Sequence, residues 1–153
     1  MRRFCSCTRR SALAVLAAAG AALVTSAKSA GAQSTSAKAP PAEHREFIAA
    51  AFRMKDEAVR AGDRSYGAVV VKDGRIIGFG PSRVVLKKDW TAHAEREAIR
   101  EAQARLGRID LSGCILYSSS RPCSECERAA AGASIDRMIF GIEATDAGKP
   151  RKL

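Results

Sequence analysis

Residues 68–80 read Ala68-Val69-Val70-Val71-Lys72-Asp73-Gly74-Arg75-Ile76-Ile77-Gly78-Phe79-Gly80. Ala68–Val71 is a short, largely β-branched run, Ile76–Gly80 is a second apolar run, and Lys72–Arg75 between them is a turn. Asp-Gly between two such runs is a strong hairpin signal, because both turn residues tolerate positive φ. Upstream, Phe47, Ala51, Met54 and Ala58 recur at helical spacing among charged residues, and Gly62 follows. That pattern predicts an amphipathic helix over Glu43–Ala61. Downstream, Ala94, Ala98, Ala102 and Leu106 are four apart and end at Gly107, which predicts a second helix over Ala92–Leu106. Cys114–Ser118 reads as a buried strand, the Ala-rich Pro122–Ala133 as a third helix, and Met138–Gly141 as a last apolar strand. The order α-β-β-α-β-α-β predicts an α/β sheet covered by helices.

The chain has 153 residues, of which 46% are hydrophobic and 27% charged, which excludes a disordered chain and a multi-span membrane protein. Five cysteines are too few for a disulfide-dense scaffold. Residues 1–32 carry five basic and no acidic side chains, which leaves 21 basic and 16 acidic over 33–153. Half of the net charge of +10 therefore sits in the first fifth of the chain, so net charge is no argument for nucleic-acid binding.

That first segment reads as an address. Arg2, Arg3, Arg9 and Arg10 precede the uncharged apolar run Ala12–Val24, which is 13 residues long. A spanning helix needs about 20 apolar residues, so the run fits the h-region of a signal peptide. Ala30-Gly31-Ala32 supplies a small-x-small cleavage site, with Gln33 as the new N-terminus. Thr8-Arg9-Arg10-Ser11-Ala12-Leu13 resembles a twin-arginine export signal; an ordinary Sec signal and an uncleaved anchor are the alternatives. The expected organisation is a signal peptide over 1–32, a linker over 33–42 and one domain over 43–153, exported to the periplasm or secreted and with no stable membrane span after processing.

The chemistry collects at two predicted helix entrances. Cys123 and Cys126 are three apart and share a helical face. A helix N-terminus lowers thiol pKa, and two thiolates suit a soft cation such as zinc. The spacing alone also suits a disulfide or a redox pair. His93 is one of two histidines in the chain, the other being His44 near the linker. Two Cys and one His supply the three ligands of a catalytic zinc, with one position open for water. Glu95 is two residues from His93, so mid-helix geometry would send the two side chains apart, but at a helix entrance His93 can reach the metal and Glu95 the open position. There Glu95 would take a proton from water and hand it to a leaving group. Glu97 and Glu101 read as solvated helix-face residues, and Cys114 as a buried apolar one.

His93-x-Glu95 followed by Pro122-Cys123-x-x-Cys126 resembles the signature of the zinc-dependent cytidine/deoxycytidylate deaminase superfamily. The resemblance runs from Tyr66-Gly67-Ala68-Val69-Val70 to Ile139-Phe140-Gly141, and is strongest to the guanine deaminase and tRNA adenosine deaminase branch. It implies a three-layer α/β/α sandwich on a mixed central sheet, usually in a homo-oligomer such as a dimer. It implies Zn2+ on His93, Cys123 and Cys126, and Glu95 as the proton shuttle in a hydrolysis that replaces a ring amine by oxygen and releases ammonia. It also implies the Ala94 N–H as a contact to the base. The implied substrate is a small base or nucleoside.

Three departures stand beside the site. Ser82 stands where relatives carry a substrate-contacting Asn, and Trp90 where they carry Pro. Trp90 would stack on a planar base or pack between subunits. Ser120-Arg121 stands where relatives carry Cys-Glu, so Arg121 would either favour an anionic ligand or pair with Glu125 at i,i+4. The other readings are a zinc-containing binding protein on the same scaffold, motivated by these departures and by the short stretch after Gly141, and a tRNA adenosine deaminase.

Overall fold

The computed structural model describes residues 41–152. The expected signal peptide and almost all of the expected linker lie outside the described residues. Helix α1 (Ala42–Arg60) leads into strands β1 (Gly67–Lys72) and β2 (Arg75–Pro81), a short helix α2 (Val84–Lys87) and helix α3 (Ala94–Leu106). Strand β3 (Cys114–Ser118), helix α4 (Ser124–Gly132) and strands β4 (Arg137–Phe140) and β5 (Thr145–Gly148) complete the order.

The hairpin forms where Asp73 and Gly74 stand, with φ of 48° and 71° at the two turn residues. Pairing both turn residues at positive φ matches the twist of the flanking strands. The sheet runs β2-β1-β3-β4-β5. β1 is antiparallel to both β2 and β3, β3 is parallel to β4, and β4 is antiparallel to β5, so the sheet is mixed.

Alternation along β1 builds two cores. Ala68 and Val70 pack with Leu116 against α3 and α4, through Ala94, Ala98, Ile99, Ala102 and Ala130. Val69 and Val71 face the other way, onto Phe47 and Ile48 of α1, with Tyr117 and Ile139. The sheet is thus covered on both faces, the expected three layers. Fully burying a Val, Leu, Ile or Phe side chain stabilises by roughly 1.5–3 kcal/mol and each alanine methyl adds less than about 1 kcal/mol, so burial is the main support of this core. Among the described residues Cys114, Cys123 and Cys126 are free thiols.

β2 lies unusually close to α3. A Cβ on Gly80 would stand 2.0 Å from the Ala94 carbonyl oxygen, and one on Gly78 2.2 Å from that of Ala98. Two glycines in one strand therefore set the distance at which the entrance of α3 docks on the sheet.

Several expectations need correction. α3 begins at Ala94 rather than Ala92, and α4 at Ser124 rather than Pro122, because His93 and Cys123 are extended residues at the N-cap positions. α2 and β5 are additional elements: α2 is a single turn, too short to show a period, and β5 is the exposed Thr145-Asp146-Ala147-Gly148. Glu97 is largely buried and paired rather than solvated, while Glu101 stays 39% exposed but is also engaged. Glu97 pairs with Lys87 across 2.5 Å and with Arg100, and Glu101 accepts the Phe79 N–H at 3.1 Å on the edge strand β2. Among the described residues no helix is long and apolar enough to cross a membrane.

Candidate active site

His93 caps α3 and Cys123 caps α4, and neither side chain bonds to its own helix. Both are therefore free to reach outward, and the two helix entrances face each other at the same end of the sheet. His93 Nδ1 lies 3.7 Å from Cys123 Sγ and 3.4 Å from Cys126 Sγ. The three ligand atoms all lie within 4.8 Å of one another.

These distances test the expected metal. Tetrahedral zinc with Zn–N near 2.0 Å and Zn–S near 2.3 Å places N and S about 3.5 Å apart. The observed 3.4 and 3.7 Å bracket that value. Two sulfurs and one imidazole also match zinc's ligand preference. The residues fit the ion.

Glu95 is 6% exposed, with Oε2 accepting from the Cys126 thiol at 3.4 Å. Burial pushes its carboxyl above the usual carboxylate range, against the lowering by its own N–H, by the Cys126 thiol and by His93. A carboxyl so placed holds a proton more readily than one in water. Cys126 departs from expectation. Burial, then the charges of Glu95 and Cys123, push its thiol well up, which outweighs the helix N-terminus. A thiol in that surrounding ionises when a cation is beside it.

A cavity of about 180 Å³ opens beside this cluster, lined by His93, Ala94, Glu95 and Cys123 together with Ser82, Arg64 and Arg121. Ala94 is the first residue of α3, so its N–H has no acceptor within the helix. Ser82 is fully buried, and its hydroxyl donates to Asp63 Oδ1 at 2.8 Å. Trp90 is not among the lining residues. It is 74% exposed, and the Arg64 guanidinium lies over its ring at 5.0 Å. His44 is also away from the cavity, with Nδ1 2.9 Å from the Tyr117 hydroxyl.

The expected Arg121–Glu125 pair does not form. Glu125 pairs with Arg128, and Arg121 instead lies over the Phe140 ring at 5.9 Å. Tyr66, Val84 and Ser120 also line the cavity, and sequence reading gave none of them a site role. Asp63 was missed as well. It accepts from the Val85 and Leu86 N–H groups at 2.9 Å each and so holds α2 beside the cavity. A lone Asp after a helix carries no signal of such a role.

Residues 41–142 match the family model described as the cytidine and deoxycytidylate deaminase zinc-binding region. The guanine deaminase of Bacillus subtilis (strain 168) is 42% identical over 107 residues, 69% of each chain. A tRNA-specific adenosine deaminase of Aquifex aeolicus is 40% identical over 94 residues, 61% of this chain and 62% of that one. The crystal structure of the Bacillus subtilis guanine deaminase superposes with a TM-score of 0.61, over 64% of this chain and 62% of that one. The chain thus spans about two thirds of the length of these relatives. A profile match over most of the described residues, a matching mixed sheet and a metal-ready His-Cys-Cys cluster have one common reading: the chain belongs to the cytidine and deoxycytidylate deaminase family with its zinc-binding region.

Proposed function

We propose that the protein hydrolytically removes the exocyclic amine of a nucleobase or nucleoside, with zinc held by His93, Cys123 and Cys126 and with Glu95 moving the protons. The observation that carries this is the convergence of three ligand atoms and one buried carboxyl beside a single small cavity that His93, Glu95 and Cys123 line. When bound, the ion supplies a Lewis acid that makes water nucleophilic near neutral pH.

The chain's own residues do the rest. Glu95 Oε2 sits at the buried end of the cavity, where it takes a proton from water and delivers it to the departing amine. Its raised proton affinity suits both halves of that exchange. The Ala94 N–H, unpaired within α3, points a donor at an acceptor on the base. Ser82, whose only proton is committed to Asp63, offers the substrate an acceptor. The cavity is below the roughly 300–1,000 Å³ of drug-sized pockets, which suits a single planar ring system.

Purified zinc-loaded protein is tested for ammonia release from guanine, adenine, cytosine and their nucleosides, with Glu95→Ala beside it. Release from one substrate, lost in the variant, is the expected result. No release from any at full zinc content would favour a binding role. A polynucleotide substrate is the second reading, supported by the tRNA-specific relatives. Export rests on Arg9-Arg10 ahead of Ala12–Val24, and a mature N-terminus near Gln33 would support it. A homodimer is the proposed assembly, checked by sedimentation.

A further inference from the structure

Cys123 and Cys126 stand one turn apart at the entrance of α4, and they differ in access to solvent. Cys123 is exposed and lines the cavity, whereas Cys126 is fully buried. The Cys123 side chain makes no bond to its own helix, and its sulfur meets His93 Nδ1 at 3.7 Å. Cys126 is held more firmly, with its thiol donating to Glu95 Oε2 at 3.4 Å. The two sulfurs lie within 4.8 Å of each other. Residues three apart on one helical turn are neighbours, so rotation of the exposed partner brings its sulfur toward the ~2.05 Å of a disulfide. An accessible thiol beside a buried one is the arrangement in which a solvent oxidant meets the first and the second resolves the product. Cys114 lies fully buried in β3, outside this cluster. The same two sulfurs are two of the three ligand atoms for the metal, so a bond between them would leave His93 alone.

We propose that Cys123 and Cys126 form a reversible oxidation site: in the metal-free chain a peroxide closes them into a disulfide that dismantles the metal site, and metal loading guards the pair against it. This rests on the metal-binding half of the proposed function and adds a regulation of that same site. The step balances in two stages. The Cys123 sulfur attacks one peroxide oxygen, the O–O bond breaks, and Cys123 becomes a sulfenic acid as one water leaves. The Cys126 sulfur then attacks the Cys123 sulfur and the S–O bond breaks. The Cys126 proton passes through its partner Glu95 Oε2 to the departing hydroxide, which leaves as a second water. Two thiols lose two electrons in all, and one peroxide is reduced to two waters. An external dithiol reopens the pair by exchange at the exposed Cys123 sulfur and is itself oxidised to a disulfide.

The test reads bonds and metal rather than turnover. Full chain stripped of zinc is treated with hydrogen peroxide, free thiols are blocked, and the peptides are mapped by mass spectrometry. The expected result is a Cys123–Cys126 disulfide with Cys114 still free. Zinc uptake, followed with a chromophoric chelator, is lost with it, and dithiothreitol restores both. With zinc about a hundredfold above its dissociation constant, about one chain in a hundred has the pair unligated, so closure should slow by about a hundredfold. Cys114→Ser should keep the cross-link, whereas Cys123→Ser and Cys126→Ser should each abolish it. Circular dichroism verifies that the variants fold, and the map of the unsubstituted chain decides the matter without them. Free Cys126 beside an irreversibly oxidised Cys123 overturns the proposal, as does a bond from either residue to any other cysteine. Equal rates of closure with and without zinc overturn it too. A chain that closes the disulfide and loses zinc uptake, yet releases ammonia from no substrate when zinc-loaded, supports this proposal while counting against the deaminase reading.

Discussion

The Ser82 hydroxyl donates to the Asp63 carboxylate across 2.8 Å, and that one contact ties the cavity wall to the turn that carries α2. The other oxygen of the same carboxylate accepts the Val85 and Leu86 N–H groups. Asp63→Ala removes these three contacts and the bond from the Arg64 N–H, and should destabilise by about 2 kcal/mol, whereas Ser82→Ala removes one and should cost about 1 kcal/mol. Urea unfolding of both singles and the double checks the ordering. The double should fall short of the sum, because the two residues share a bond. Burial raises the Asp63 pKa, but its hydrogen bonds, led by Leu86 and Arg64, outweigh that and hold it low. Its stabilisation is therefore present above the unfolded value of 3.8 and is lost as pH falls through the lower folded value.

Glu95 separates chemistry from metal binding. Glu95→Gln preserves shape and removes the ionisable group, so kcat should fall by about 10²–10⁴-fold, the usual contribution of a positioned acid-base group. Zinc content by atomic emission should stay near one per chain, since the ligand atoms belong to His93, Cys123 and Cys126. Cys126→Ser should lose zinc and activity together. An outcome in which Glu95→Gln also loses the metal would make Glu95 a ligand.

Burial of Glu95 has a pH consequence in the metal-free protein. Its folded pKa is raised above the ordinary 4.5. Below 4.5 both states hold the proton and no penalty appears. As pH rises past 4.5 the unfolded chain ionises first, so stability falls until the folded carboxyl also ionises. Metal-free Glu95→Gln lacks this loss. The difference in Tm between variant and wild type should therefore grow from pH 4 upward, and a flat difference would show that Glu95 ionises normally.

Helices and hairpin were legible because each rests on local pattern. Asp73-Gly74 fixed the turn, and the four-residue spacing of Ala94 to Leu106 fixed the face of α3. The metal cluster was legible because His93, Glu95, Cys123 and Cys126 sit at helix entrances whose chemistry sets their spacing. The rest depends on contacts across long stretches of chain. Arg121 is four residues from Glu125, yet Arg128 takes that carboxylate and Phe140 takes the arginine. Glu101 looked like any exposed helix residue, and only the fold places the Phe79 N–H before it. Trp90 looked like a base-stacking residue because it is three positions from His93, but the turn after α2 carries it outward.

Gly80 couples the sheet to the metal cluster. A methyl group there would stand 2.0 Å from the Ala94 carbonyl oxygen and 2.5 Å from the Ala98 nitrogen, both backbone atoms that a rotamer change cannot clear. Gly80→Ala must therefore push α3 off β2 or bend the strand, an overpacking that costs about 1–3 kcal/mol. At roughly 4–8 °C per kcal/mol for a domain of about 100 residues, Tm should drop by about 5–20 °C. The shift falls on the first turn of α3, which carries His93 and Glu95, so zinc affinity should weaken with stability. Gly62→Ala is the control. A Cβ there meets nothing within 4 Å, although φ of 76° strains it, so it should lower Tm while leaving zinc affinity unchanged. Metal affinity by competition with a chromophoric chelator reads the distinction. Equal zinc affinity in Gly80→Ala and wild type would mean that the ligands are held by α4 and their own caps rather than by the seat of α3 on the sheet.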